Sequence, residues 1–494
     1  MKMMKNKRIG GTSADAILLM FIKLVTILLG FAITRLLSQY LSVYDYGTYS
    51  QVLLIVSTVS SVTILGMMDG INFFYCSCRD REERDAYVAT IFALQCTVST
   101  VAGAVVLLLT KPLCVYFENP DIGKLLVFAA ALPFLQNLLS LFQILLVSVG
   151  RARMLAVRNL VVSLARLGAA VAIVLVARNV AVMLSVTLLM DLLQIAFFSE
   201  ILRRDQVRIC FRKADFHLLK TIFSYCAPMA VFTMINTLNR DLDKYLITLV
   251  TDTETLAVYA NASRVLPFDI VMTSFCTVLI PEITRFVADK KIYKASALYK
   301  SFLEIAYVTT GILCSAALAV APQLMELLYS EKYLSGLDVF CIYIVVDLIR
   351  FTNMTLILSA AGKTKTIMFL GLGAIGLNGV LNILLYRWLG LSGPAYATLI
   401  SVSVTGILML SFSARELGTR VRQLFDGKYL LLFAAENLIA VLAFGWLQRW
   451  LAGQGLHYVW VLLLVCGCYG LTMLLLHGKR FLNALKTVNR VTGK

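Results

Sequence analysis

The sequence predicts an all-α integral membrane protein of about fourteen transmembrane helices, built as two six-helix lobes plus two C-terminal helices. Three observations predict it: the lengths of the apolar runs, the alternation of basic residues between them, and an internal repeat. The 494-residue chain is 60% hydrophobic, with a mean hydropathy of +0.83. Its apolar residues gather into runs of roughly 18–25, the length that carries a helix across about 30 Å of hydrocarbon.

The first run, 14–38, follows a basic stretch, as the core of a signal peptide does. It is too long for one, and no small-residue cleavage site follows, so a retained first helix is expected. Runs two to six are 50–74, 87–109, 124–149, 155–177 and 180–202. The seventh, 218–250, exceeds the hydrocarbon thickness and should tilt or continue outside. The remaining seven are 256–283, 302–328, 337–361, 366–388, 391–413, 429–448 and 457–477.

The formal net charge of +17 follows from topology and does not call for a nucleic acid partner. With the N-terminus in the cytoplasm, 32 of the 45 Lys and Arg fall in inside segments, 6 fall outside and 7 lie within the runs. That asymmetry satisfies the positive-inside rule and places both termini on the cytoplasmic side. The eleven Cys form no disulfide framework; most lie in the runs, where packing is expected.

Two short matches recur at nearly one spacing. Arg35-Leu-Leu-Ser-Gln-Tyr40-Leu41 corresponds to Arg240-Asp-Leu-Asp-Lys-Tyr245-Leu246, and Gly150-Arg151-Ala-Arg153 corresponds to Gly362-Lys363-Thr-Lys365. They pair run one with seven and run four with ten, so the repeating unit is six helices. Both copies start inside, which makes the repeat parallel, about an axis along the membrane normal. The expected domains are residues 1–205 (helices 1–6), 206–420 (helices 7–12) and 421–494 (helices 13–14 and a cytoplasmic tail). Two lobes around a midplane site suit alternating access, and the short loops leave no room for a catalytic domain.

The run Leu28-Leu-Gly-Phe-Ala-Ile-Thr-Arg-Leu-Leu, followed by Tyr46-Gly-Thr-Tyr49, resembles the opening of bacterial polysaccharide flippases. These form the polysaccharide-transporter branch of the multidrug/oligosaccharidyl-lipid/polysaccharide (MOP) superfamily. Gly150-Arg-Ala-Arg153, Pro228, Val278-Leu-Ile-Pro281-Glu282 and Gly390-Leu-Ser-Gly-Pro-Ala-Tyr-Ala-Thr398 fit the same pattern, so the resemblance runs from about residue 13 to 413. It implies a MATE-like fold in the bacterial cytoplasmic membrane and export of undecaprenyl-pyrophosphate-linked oligosaccharide, with polysaccharide polymerases or glycosyltransferases as working partners. Three other readings stay open: a lipid II-type flippase, a cation-coupled drug exporter, and, in another class, a membrane glycosyltransferase or polymerase.

The seven basic residues inside the runs are Lys23, Arg35, Arg166, Arg240, Lys244, Arg264 and Arg350. A charge at the bilayer centre costs about 2.5–3.5 kcal/mol on insertion scales, so each needs a carboxylate, water or an anionic ligand. Lys23, Arg35, Arg240, Lys244 and Arg264 are the candidates for binding a pyrophosphate cargo. Against that stands local pairing: Arg240 with Asp243 and Asp241 with Lys244 have helix-pair spacing. Asp69, Asp241 and Asp243 are the candidates for coupling to H⁺ or Na⁺; Asp191 and Glu436 are further intramembrane acids, and Asp347 is expected to pair with Arg350. No cofactor is expected, and the histidines lack metal-ligand spacing. Gly371-Leu-Gly-Ala-Ile-Gly376 fits a dinucleotide fingerprint but lies inside a transmembrane run, where these glycines are expected to permit close helix packing.

Overall fold

A computed structural model describes residues 12–492, except 79, 150, 178, 205–208, 210, 265, 270–271, 273–278, 280–281, 288 and 354. Among the described residues every regular element is a helix. In chain order they are α1 (Thr12–Tyr40), α2 (Val43–Thr63), α3 (Met67–Ser77), α4 (Arg81–Leu108), α5 (Thr110–Tyr116), α6 (Ile122–Ser148), α7 (Ala152–Val176), α8 (Val180–Arg204), α9 (Leu219–Val250) and α10 (Thr253–Ala262). After them come α11 (Ile292–Ala319), α12 (Ala321–Tyr329), α13 (Leu337–Arg350), α14 (Leu356–Ala360), α15 (Thr364–Leu389), α16 (Gly393–Glu416), α17 (Val421–Leu424), α18 (Gly427–Gly453) and α19 (Tyr458–Thr492).

Among the described residues ten stretches are long and apolar enough to cross a membrane, or eleven when α2 and α3 count as one bent span; one of the ten holds both α15 and α16. The chain is therefore a multi-pass membrane protein, while the count of fourteen exceeds what these helices meet individually. The shortfall has a local cause. Run 256–283 breaks after Ala262, and its second half lies mostly outside the described residues. Run 337–361 breaks into α13, a 3₁₀ turn over Phe351–Asn353, and α14. Run 302–328 also breaks, between α11 and α12, but α11 alone is long enough to span; Pro322 occupies the first turn of α12, a position that tolerates its missing N–H.

Helix starts follow from short polar side chains. Ser42 accepts the Asp45 N–H at 3.0 Å and opens α2; Asp80 accepts the Glu83 N–H at 3.2 Å and opens α4. Asp252 accepts the Thr255 N–H at 2.8 Å before α10, and the Thr255 hydroxyl and N–H hold its carboxyl below the usual carboxylate range.

The chain forms two compact units that divide within α9. The first comprises Met1–Leu238 and Thr251–Ala257. Here α6 is the central helix, touching α2, α3, α4 and α8, while α1 packs on α7. Its core joins Met67, Ile71 and Phe74 of α3 to Phe92, Leu141, Phe142, Phe198 and Cys226. The second unit comprises Asn239–Val250 and Val258–Lys494. Its centre is α11, against which α18 and α19 pack. Gly311 makes that contact possible, since a Cβ there would meet the Phe433 ring at 2.5 Å. Of the glycines of 371–376, Gly373 and Gly376 do not play the packing role expected of them and face open space.

Candidate functional site

In the first unit the route to a polar face begins at a broken helix. Between α2 and α3 the backbone turns by 42°, with Leu65 at φ 48° and Gly66 at φ 67°. A break inside hydrocarbon frees backbone groups that must find partners. Two buried amides supply them. Gln95 donates to the Thr63 carbonyl at 3.2 Å, and Asn137 donates to the Ser60 carbonyl at 3.2 Å and the Thr63 hydroxyl at 2.7 Å. Gly66 is required twice over, by its left-handed conformation and by the Cys226 carbonyl and Ala230 N–H packed where a Cβ would stand.

After the break, α3 is two-faced. Met67, Gly70, Ile71 and Phe74 are buried, while Met68, Asp69, Asn72 and Phe73 are exposed. Asp69 thus sits on an open face and makes no ion pair among the described residues. Lys23 lies on an exposed part of α1, and Arg35, twelve residues on, is half-buried, about 18 Å further along the axis.

The second unit gathers the α9 charges. Asp241 stands between two bases: its carboxylate takes Arg240 Nη2 at 3.0 Å and Lys244 Nζ at 2.8 Å. The expected Arg240–Asp243 pair is replaced: Arg240 takes its neighbour Asp241, and Asp243 turns into the core. Asp243 is 1% exposed. Its Oδ2 accepts the Tyr259 hydroxyl at 2.8 Å and also the Tyr343 hydroxyl, and its Oδ1 accepts the Lys244 N–H at 2.9 Å. No basic side chain among the described residues pairs with it. A second buried polar chain joins α15 and α16. Asn378 donates to Thr398 Oγ1 at 3.3 Å, and Asn382 donates to Asn378 Oδ1 at 2.7 Å.

Arg264 is not within a helix, as the sequence reading had it. It follows the end of α10, is exposed, and its N–H bonds the Asn261 carbonyl at 3.2 Å. The other intramembrane acids are engaged. Asp191 takes Arg166 at 3.0 Å, Asp347 lies 3.5 Å from Arg350 as expected and accepts the Leu266 N–H at 3.0 Å, and Glu436 meets His477 at 3.0 Å. His477, expected at a helix end, lies within α19, which continues for four turns beyond the apolar run. The motif residues Gly150, Val278, Ile280 and Pro281 lie outside the described residues.

Sequence reasoning missed Tyr259 and Tyr343 as partners of Asp243, and it missed the buried pair Asn378 and Asn382. The i, i+4 spacing of the two asparagines inside an apolar run was the available signal. It also missed Gln95 and Asn137.

Comparison with known proteins sets these features in a family. Residues 16–337 match the family model described as "Polysaccharide biosynthesis protein". A probable lipid II flippase MurJ of Rickettsia prowazekii (strain Madrid E) is 22% identical over 263 residues, 47% of this chain; the match spans half the length of that relative. Among solved structures, a lipid II flippase MurJ in an inward closed conformation superposes with a TM-score of 0.74 at 16% identity, covering 95% of this chain and 99% of that one. An outward-facing multidrug resistance MATE family transporter gives 0.59 at 15% identity, covering 82% and 94%. A MOP superfamily transporter from Pyrococcus furiosus gives 0.59 at 16% identity over the same shares. The fold is thus MATE-like, and the chain belongs to the polysaccharide biosynthesis protein family of membrane proteins.

Proposed function

We propose that the protein is a flippase that moves undecaprenyl-pyrophosphate-linked oligosaccharide across the bacterial cytoplasmic membrane by alternating access, with both termini cytoplasmic. The observation that carries the reading is the family match over residues 16–337, joined to a fold shared over 95% of the chain with a lipid II flippase. Intramembrane charge supports it: Lys23, Arg35 and Arg264 are exposed or half-buried bases of the kind that suits a pyrophosphate, and Arg240 and Lys244 lie beside Asp241. Deletion of the gene should leave a lipid-linked glycan on the cytoplasmic leaflet. Surface polysaccharide that is unchanged in amount and composition would refute the reading.

A second reading, lipid II as cargo, is favoured by the 22% identity to the Rickettsia prowazekii relative. Rescue of a strain depleted of its lipid II flippase separates the two. Asp243 is our choice for coupling to H⁺ or Na⁺. It is a buried carboxylate held by hydroxyls and an N–H, which leaves its charge to be balanced by a proton or a small cation. Asp243→Asn should remove the dependence of transport on the H⁺ and Na⁺ gradients while the protein stays in the membrane; a variant with the wild-type dependence rules Asp243 out.

A further inference from the structure

We propose that the exposed face of α3, together with Tyr225 of α9, is a subsite for the sugar portion of the cargo, with Phe73 as its platform and Asp69 as its hydroxyl acceptor. The inference rests on the lipid-linked saccharide reading above. Phe73 and Tyr225 stack with ring centroids 4.3 Å apart and planes 17° apart. Phe74 meets Phe73 edge-on at 5.2 Å, and is itself stacked on the buried Tyr87 at 4.2 Å. Phe73 is therefore fixed in place from behind, yet it remains 45% exposed. A ring backed on one side by another ring offers its opposite face.

Two occupants fit an open aromatic face: a hydrocarbon chain, or the C–H face of a sugar. The neighbours decide. Asp69 lies one turn before Phe73 and is exposed on the same side, and Asn72 stands between them. A carboxylate beside a lipid chain costs several kcal/mol unless paired, and Asp69 has no ion-pair partner among the described residues. A pyranose answers both features at once. Its axial C–H groups stack on the ring, and its equatorial hydroxyls donate to a carboxylate at the ring's edge. A carboxylate would repel a pyrophosphate, so this face complements the basic residues rather than duplicating them. The scaffold is rigid where it needs to be: the break at Gly66 and its contact with Cys226 fix the direction of α3 relative to Tyr225. On the proposed topology α3 runs toward the basic inside loop at Arg81–Arg84, so the subsite lies where a saccharide assembled in the cytoplasm would load.

The test is binding by the full-length purified protein in nanodiscs, read by native mass spectrometry. The probes are undecaprenyl diphosphate and the same lipid carrying di- to tetrasaccharides. Wild type should bind at least one saccharide-bearing lipid about tenfold more tightly than the bare lipid, within reach of one aromatic face and one charged hydrogen bond. Phe73→Ala should reduce that preference to about twofold or less, with affinity for the bare lipid unchanged, and Phe73→Trp should keep it. Asp69→Asn should weaken it in the same direction. Phe73→Leu, which retains apolar bulk without a ring, should behave like Phe73→Ala and controls for folding. Folded Phe73→Ala and Phe73→Leu proteins that keep the preference overturn the inference. So does an equal loss for both lipids, which would assign the face to the polyprenyl chain. Wild type that binds the bare lipid without preferring saccharide overturns the subsite alone; wild type that binds neither class overturns the flippase reading with it.

Discussion

Substituting alanine for glycine at two positions should move stability in opposite directions, and the structure gives both magnitudes. At Gly66 the backbone is left-handed, with φ 67°. An alanine there pays about 1–2 kcal/mol for its Cβ. That Cβ would also stand 2.9 Å from the Ala230 nitrogen and 3.0 Å from Met229 Cβ, closer than the packed helix allows, and the Cys226 carbonyl is nearer still. Overpacking of this kind costs about 1–3 kcal/mol, so Gly66→Ala should lose about 2–5 kcal/mol in all. Gly373 lies inside α15, and a Cβ there meets nothing within 4 Å. Gly373→Ala should therefore gain up to about 1 kcal/mol from helix propensity. The assay is denaturant unfolding of the purified protein in detergent, with helix content from circular dichroism as the signal. A Gly66→Ala protein within about 0.5 kcal/mol of wild type would refute the close approach of α3 to α9. Because the α3 face depends on that approach, Gly66→Ala should also impair transport, whereas Gly373→Ala should not.

Arg35→Ala and Arg264→Ala should each lower glycan export severalfold at normal membrane abundance, with Lys restoring part of it through charge without the two-donor geometry; wild-type export by both alanine variants rules out a role for these bases in the cargo path. Arg480 bonds Glu304 and Asp426 and lies 3.6 Å from the Tyr429 ring centroid, so Arg480→Ala should destabilise the packing of α18 and α19 on α11 by about 1–3 kcal/mol in the same unfolding assay. The Arg480 guanidinium holds the Asp426 carboxyl below the usual carboxylate range, so this clamp should be complete above the ordinary carboxylate pKa and weaken as pH falls through the depressed value. In Arg480→Ala that acid-side loss should be smaller than in wild type. Single Cys probes at Ser42, Thr253 and Gly453 in a Cys-free background should label from outside and probes at Asp80, Asp289 and Gly418 should not; outside labelling at Asp289 would break the proposed orientation.

The long helices were legible in the sequence because crossing hydrocarbon imposes one demand on every residue: about twenty apolar side chains with internally bonded backbone. Nothing in that demand encodes where a helix stops being straight. Run 50–74 reads as one continuous span, yet it breaks at Leu65–Gly66, and the break is held by Gln95 and Asn137 from two other helices. Such partners are distant in sequence, so hydropathy sees two stray polar residues where the fold has a pair of clamps. The charges divide along the same line. Asp347 with Arg350 and Asp241 with Lys244 were readable because a helix places i and i+3 side by side. The pairing of Asp243 with Arg240 was misread because its hydroxyl donors, Tyr259 and Tyr343, come from α10 and α13 and carry no charge to betray them. Spacing rules therefore find neutralised charges, the ones a transporter uses least. The residues with most room for a role in transport, Asp69 on the open face of α3 and Asp243 among its tyrosines, are those for which the local sequence offers no basic partner that the structure accepts.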